Sequence, residues 1–505
     1  MSNYHCCDDK RCNGCGDQTR KFLFNISDDL ITSPIFNTDG YKPSHWLQFP
    51  KETQQLEAYI ESRGGKYDVI PFIGLQIEIK KHFLKPITKE QIDIAEAIFK
   101  IYGAPFNREG WEYILKEYDG YLPIEIWAPD EGHVIPTNNC LVKIKTHDPK
   151  CRWLVFWIVS YIETTLLRGV WYPGNVGAID FHIKKMFVKF LRETADTMNV
   201  LPVMLNDFGA RGGSSLESVG IAGCIHSFFF MGSDTITGGL YAMKYYNIND
   251  ISKFPIRTVP AAEHSSITSW RRNRETDAYR NMLRKFGGKY PFIAVVSDSY
   301  DVFHAVRDIW GEELKDEVIQ CGSMLVVRPD SGNPVEVVLK ILLILDSKFG
   351  HEMNSKGYRV LKNVRVIQGD GVNPDSIYDI LTTIKGYQFS AENVLYGMGG
   401  KLHQGHDRDT QKWAQKTCAA EDEDGWYDVY KDPITDQGKK SKRGRLMLFR
   451  NKVENKFYTD LENSAAASHP DFEPMLKCKY RLGKLLIDHD FEEVQNRLNE
   501  YVMAA

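Results

Sequence analysis

Six times in this chain a short apolar run ends abruptly in a polar turn, and this recurrence restricts the fold more than any other feature. From Met324 to Val327 apolar residues lead into Arg328, Pro329, Asp330, Ser331 and Gly332. The same change of character recurs at Leu205–Gly213, Val259–His264, Val295–Asp301, Val366–Gly371 and Val394–Gly400. The spacing is about one βα unit, the length that a strand and its crossover helix require. Such a chain builds a barrel or an open parallel sheet with one functional rim, because parallel strands bring their C-terminal ends to one side. Arg211, His264, Asp298, Arg328, Asp330 and Asp370 are therefore expected to share a site. The helical partners are legible too. Val335, Val338, Leu339, Leu342 and Leu345 recur at helical spacing over Pro334–Leu345, Pro374 follows Asn373 as a first-turn proline does, and a helix is expected to start at His264 and run through Ile267 and Trp270. An ordinary α/β core with solvated turns accounts for any one of these runs, but poorly for six with this charge pattern.

At 505 residues the chain is long enough for two domains or an elaborated barrel. Its net charge of -4 supplies no global attraction to nucleic acid or an anionic membrane, so any anion must be bound locally. The sequence has no uninterrupted apolar run of membrane-spanning length, and the polar start lacks the apolar segment of a signal peptide, so a cytoplasmic location is expected. Cys140, Cys151, Cys224, Cys321, Cys418 and Cys478 are scattered and read as reduced thiols. Cys6, Cys7, Cys12 and Cys15 crowd the N-terminus beside His5. That spacing suits a tetrahedral zinc site or echoes an iron–sulfur one, against a plain tail with free thiols, and no metal ligand is assigned.

The organisation expected is a Cys-containing extension over residues 1–32, a barrel over 181–409, and a second α+β domain formed by 33–180 together with 410–505. Helices are expected over Thr88–Ile101 and Trp153–Leu167. The basic run Lys439–Arg445 precedes Leu446–Phe449 and reads as a charged turn into a strand in preference to a phosphate grip.

Arg63, Arg211, Arg328, Arg408 and Lys416 suit a substrate with more than one phosphate, since guanidinium forks match phosphate oxygens. Gly399 and Gly400 after a strand let backbone N–H groups approach a phosphate. Asp330 and Asp370 offer carboxylates for ribose hydroxyls or for Mg2+ on a diphosphate. His264, at a helix N-terminus, is placed to contact or accept phosphate. Together these residues suggest a phosphorylated sugar.

The motifs Thr38–Lys42, Asp207–Gly212, Gly232–Thr235, Val259–Ser265, Val296–Asp301, Arg328–Pro334 and Gln368–Gly371 stand in an order that resembles the nicotinate/nicotinamide phosphoribosyltransferase family, over about Thr38 to Phe449. The resemblance implies an irregular (β/α) TIM-like barrel with a second α+β domain, acting as a homodimer with shared active sites. It implies transfer from phosphoribosyl pyrophosphate to nicotinamide, giving nicotinamide mononucleotide and pyrophosphate, with Mg2+ and with ATP as a co-substrate that phosphorylates the matching histidine. By the same resemblance Phe208 stacks on one face of the pyridine ring and Tyr41 of a second subunit on the other. Asp234 accepts a bond from the amide and repels the carboxylate of nicotinate. Arg63, Arg211, His264, Arg328 and Lys416 contact diphosphate, while Arg328, Asp330, Gly369, Asp370, Gly400 and Arg408 hold ribose and 5'-phosphate. Asp298 orients His264. Ala210 and Met398 depart from the family pattern, and looser substrate affinity is expected from them.

Three other readings compete. A nicotinate phosphoribosyltransferase shares the barrel and sugar substrate, and Asp234 argues against it. A non-catalytic, secreted signalling protein is disfavoured by the full set of charged rim residues. A metal module on the N-terminal cysteines would be accessory to the barrel.

Overall fold

The computed structural model describes residues 26–504. The N-terminal cysteine cluster lies outside the described residues. Five of the six apolar runs are strands of one parallel sheet: Leu205–Asp207, Phe292–Val296, Met324–Arg328, Val364–Gln368 and Val394–Met398, joined by the two-residue strand Gly232–Ser233. Their spatial order is 232–233, 205–207, 394–398, 364–368, 324–328, 292–296, every neighbouring pair parallel. Ile293, Val295, Leu325, Val327, Val364 and Val366 are fully buried. Such unbroken apolar runs, instead of alternation, are what a sheet covered on both faces requires.

The sixth run behaves differently. Val259–His264 is no ladder strand; the segment from Arg257 to Ala261 touches both edges of the sheet through single parallel bridges, Gly232 with Arg257 and Ala261 with Ala294. Backbone bonds Ser233 N to Arg257 O (3.0 Å) and Ala294 N to Pro260 O (3.0 Å) make the joins. Pro260 has no N–H to give, which keeps the pairing to isolated bridges.

The helices follow their sequence signals. Pro334–Phe349 is capped by Asn333, whose side chain accepts from Val335 N and Glu336 N, and it buries Val338, Ile341, Leu342, Leu345 and Phe349. Val335 and Leu339 are only half-buried. Pro374–Gly386 is capped the same way by Asn373, and Lys89–Tyr102 starts from a capping box of Thr88 and Gln91. Two expectations need correction. The stretch from Trp153 is two short turns, Arg152–Val155 and Ile158–Tyr161, followed by one helix from Glu163 to Thr194 that contains residue 180. The helix at His264 stops at Thr268, because Arg271 turns into positive φ at 71°. The 152–194 run is long and apolar enough to cross a membrane by composition, yet 67% of its most apolar window is buried inside the fold, as in a core helix.

Apart from the small hairpin of His351–Met353 and Arg359–Leu361, the remaining strands come from both ends of the chain. A seven-stranded antiparallel sheet runs in the order 425–428, 413–422, 55–62, 142–146, 124–128, 477–481, 484–485. At its centre Gln55 faces Glu421 and Ser62 faces Trp413. Lys439–Arg445 does lead through a turn into the strand Leu446–Asn451. Its charges are taken up locally, Lys442 by Glu61 and Arg445 by Glu462.

Candidate functional site

The ends of the parallel strands hold a connected set of charged side chains. His264, first residue of its short helix, places Nε2 2.9 Å from Asp298 Oδ1 beyond the strand Phe292–Val296. The other Asp298 oxygen accepts from Asp330 N (3.1 Å) and Ser331 Oγ (2.6 Å), just past the next strand. Asp330 Oδ2 in turn accepts from Arg328 Nη2 at 3.0 Å and lies 4.0 Å from His264 Nδ1. Asp298 is nearly buried while His264 stays half-exposed. A carboxylate accepts only, so His264 Nε2 is the donor to Asp298, and Nδ1 faces the Asp330 carboxylate at 4.0 Å.

A second group surrounds a cavity of about 100 Å³ among the strands, lined by Phe208, Asp234, Thr258, Arg328, Ile367 and Leu395 with others. Phe208 is set by a backbone bond from its N to Met398 O (3.0 Å) and by Gly397, where a Cβ would collide with the Phe208 ring. Gly369 closes the gap between groups, since a Cβ there would lie 3.2 Å from Asp330 Oδ1, 3.8 Å from Arg328 Nε and 3.9 Å from Phe208. Gly397→Ala is therefore expected to push the ring aside, raising KM for an aromatic substrate about tenfold and costing ~1–3 kcal/mol of stability. Substrate-dependent kinetics beside a denaturant titration would measure both. Asp234 sits after the strand Gly232–Ser233 and accepts from Thr258 Oγ1 at 2.6 Å.

The third group is the pair of glycine turns. Arg211 is exposed in the turn Ala210–Gly212, and a Cβ at Gly212 would lie 2.9 Å from Gly400 Cα, so the two turns pack backbone to backbone. Asp370 is exposed one residue beyond Gly369.

Four residues expected at the site stand apart in this single chain. Arg63 follows the antiparallel strand 55–62 and is held by Glu61 (2.7 Å). Lys416 lies opposite Tyr59 in the same sheet, with Nζ on Gln415 O (2.6 Å), and burial pushes its ammonium below the ordinary range. Arg408 pairs with its neighbour Asp409 (3.0 Å), and Tyr41 is 61% exposed, its ring meeting His45 edge-on. None makes a hydrogen bond or ion pair with the His264–Arg328 set. Met398 is buried at its strand end, whereas Ala210 is exposed.

Among the described residues no three His, Cys, Asp or Glu side chains are grouped to cage a metal. Mg2+ needs no such cage when it arrives on a diphosphate and takes one or two carboxylates, and Asp330 and Asp370 fit that requirement. Sequence reasoning passed over Thr258, one residue ahead of the run at Val259, and Ser331, quoted only as part of a turn. It also passed over His403, which carries no signal in its neighbours.

Residues 203–484 match the Nicotinate phosphoribosyltransferase (NAPRTase) family, and residues 33–126 match the N-terminal domain of nicotinamide phosphoribosyltransferase. A nicotinamide phosphoribosyltransferase of Xanthomonas campestris pv. campestris (strain 8004) is 47% identical over 91% of this chain and 97% of that protein. One from Mycoplasma pneumoniae is 29% identical over 81% of this chain and 94% of that one. A nicotinate-nucleotide pyrophosphorylase structure from Pyrococcus furiosus superposes with TM-score 0.60 at 14% identity, covering 96% of this chain and 98% of that one. Human nicotinic acid phosphoribosyltransferase does so with TM-score 0.50 at 14% identity, covering 92% and 93%. At these identities the two structural likenesses are ones of fold. The extent of the sequence matches, over a site built as described, assigns the chain: it belongs to the nicotinate phosphoribosyltransferase family.

Proposed function

We propose that this enzyme transfers the phosphoribosyl group of phosphoribosyl pyrophosphate to nicotinamide, forming nicotinamide mononucleotide and pyrophosphate for NAD salvage. The observation that carries the reading is the convergence of Phe208, Asp234 and Arg328 on one cavity beside the His264–Asp298–Asp330 chain. Phe208 offers a face to the pyridine ring, and Asp234 keeps one carboxylate oxygen on Thr258 and the other for the amide N–H. The ring nitrogen's lone pair forms the new bond to the anomeric carbon as the bond to the pyrophosphate oxygen breaks, with no proton transfer to the base. The protein's task is to align the two and to stabilise departing pyrophosphate through Arg328, Arg211 and Mg2+ brought in on the diphosphate. The test is pyrophosphate release from phosphoribosyl pyrophosphate and Mg2+, with nicotinamide against nicotinate. Release with nicotinamide is expected; release with nicotinate alone would overturn the choice of base.

ATP stimulation through a phosphohistidine belongs to the same reading, supported by the half-exposed His264 ring, whose bond to Asp298 uses Nε2 and not Nδ1. So does an irregular (β/α) barrel over about 181–409 with a second domain from 33–180 and 410–505, supported by the segment that bridges both sheet edges, the first boundary falling inside the helix Glu163–Thr194 that joins the two. A cytoplasmic location accords with six free cysteines among the described residues.

A homodimer with shared sites is also proposed. Tyr41, held on its inner side by His45 and exposed on the other, is suited to cover Phe208 of a second copy. Mixing inactive Tyr41→Ala and Asp234→Ala chains is then expected to restore activity, because one of the two shared sites in the heterodimer is intact. Two dead variants that stay dead when co-refolded would argue for sites made within one chain.

A further inference from the structure

Beneath the site lies a buried ionisable pair that the reaction as described does not use. His403, on the short helix Gly400–Gln404, and Asp207, at the end of the strand Leu205–Asp207, are both fully buried, with His403 Nε2 2.9 Å from Asp207 Oδ1. The same carboxylate oxygen accepts the Gly209 N–H at 2.8 Å. Burial by itself raises the Asp207 carboxyl, but the hydrogen bond and charge of His403, helped by His226 and Gly209 N–H, outweigh it and hold the group below its ordinary value. Asp207 is thus a carboxylate and His403 Nε2 a donor to it.

The two partners belong to different turns. Asp207 precedes Phe208 and anchors the bend that presents Phe208 and Arg211, while His403 sits three residues beyond Gly400. The imidazole also lies flat against Gly209, where any Cβ would strike the ring, and Tyr172 Oη donates to the His403 carbonyl from the long helix at 3.1 Å. The strands that feed the two turns are paired, with Met398 opposite Asp207, and beyond that ladder the turns meet through Gly212 against Gly400, Phe208 N to Met398 O and, at the surface, Gln404 Nε2 to Ser214 Oγ (3.2 Å). Past the end of the ladder two glycine-rich turns have little side-chain packing to fix their spacing, so the buried charged hydrogen bond is the strongest side-chain tie between them.

We propose that His403 and Asp207 are a positioning pair that sets the distance between the base-binding turn at Phe208 and the sugar-phosphate turn at Gly400. The proposal rests on the phosphoribosyl transfer reading above. It concerns alignment: ring nitrogen and anomeric carbon are delivered by different turns, and the pair fixes one relative to the other.

The test compares His403→Leu, which fills the space without a donor, with His403→Gln, whose amide nitrogen reaches the position of imidazole Nε2. The readouts are KM for each substrate, kcat, Tm, and deuterium uptake over 205–213 and 399–405. For His403→Leu, both KM values are expected to rise about tenfold with a fall in kcat, since a misplacement of about 1 Å can cost 10²-fold in rate. Uptake is expected to rise in both segments together. His403→Gln is expected to return both KM values to within about threefold of wild type and to restore protection. Equal losses in Leu and Gln that follow Tm would reduce His403 to a core filler. A change in one KM only, or in one segment only, would deny the link between turns. If wild type releases no pyrophosphate with nicotinamide, the reading of function fails, and the uptake comparison still decides the pair.

Discussion

His264→Ala is expected to abolish ATP-dependent stimulation, a loss of about 10²-fold in the stimulated rate, while pyrophosphate release without ATP falls by less, through a lost diphosphate contact. The geometry supplies a control. Asp298 binds His264 through one oxygen and Asp330 N with Ser331 Oγ through the other. Asp298→Ala should therefore lose ATP stimulation as His264→Ala does and also raise KM for phosphoribosyl pyrophosphate, because the Asp330 turn loosens. Steady-state rates with and without ATP, beside acid-labile phosphate incorporation, separate the two. Full stimulation in His264→Ala would remove the phosphohistidine from the mechanism.

The second large effect is expected at Asp234. Asp234→Asn removes the charge that repels nicotinate while keeping an oxygen for the amide. The ratio of kcat/KM for nicotinate over nicotinamide is expected to rise on the order of 10²-fold, from both a lost repulsion and a weaker acceptor. Thr258→Val releases the Asp234 carboxylate from its 2.6 Å bond but keeps its charge, so KM for nicotinamide should rise as the acceptor loses its orientation, while nicotinate stays excluded. An unchanged ratio in Asp234→Asn would mean that the carboxylate does not face the ring substituent.

Much of this site was legible because its parts follow one rule: a β-branched run followed by a charged turn. Arg328, Asp330, Asp298 and His264 were grouped on that rule alone, and the structure links them by hydrogen bonds. The prolines Pro334 and Pro374 marked helix starts correctly, each following an asparagine whose side chain caps the helix. Where the rule misleads, backbone chemistry outweighs side-chain pattern. Val259 continues an apolar run, but Pro260 beside it cannot extend a ladder. Trp270 fits the helical period after His264, but Arg271 adopts a left-handed turn. Arg63, Arg408 and Lys416 were grouped with the site by charge type and Tyr41 by resemblance, and the single chain leaves all four on other elements. His403 was invisible for a further reason, because its importance lies in a contact 196 positions away, and nothing local marks a histidine as half of a buried pair.

The antiparallel sheet has a consequence for how the molecule is made. The strand Gln55–Ser62 pairs on one edge with Val142–Thr146, but on the other only with Trp413–Asp422, so that Gln55 and Glu421 meet across 366 positions. During synthesis every parallel strand, the last ending at Met398, is complete before that partner emerges. Pairing so remote in sequence is slow, and until it forms one edge of an early strand stays open to other chains. Truncation between Met398 and Trp413 would leave that edge open for good, so such fragments are expected to aggregate even though all the strands that carry the rim are present.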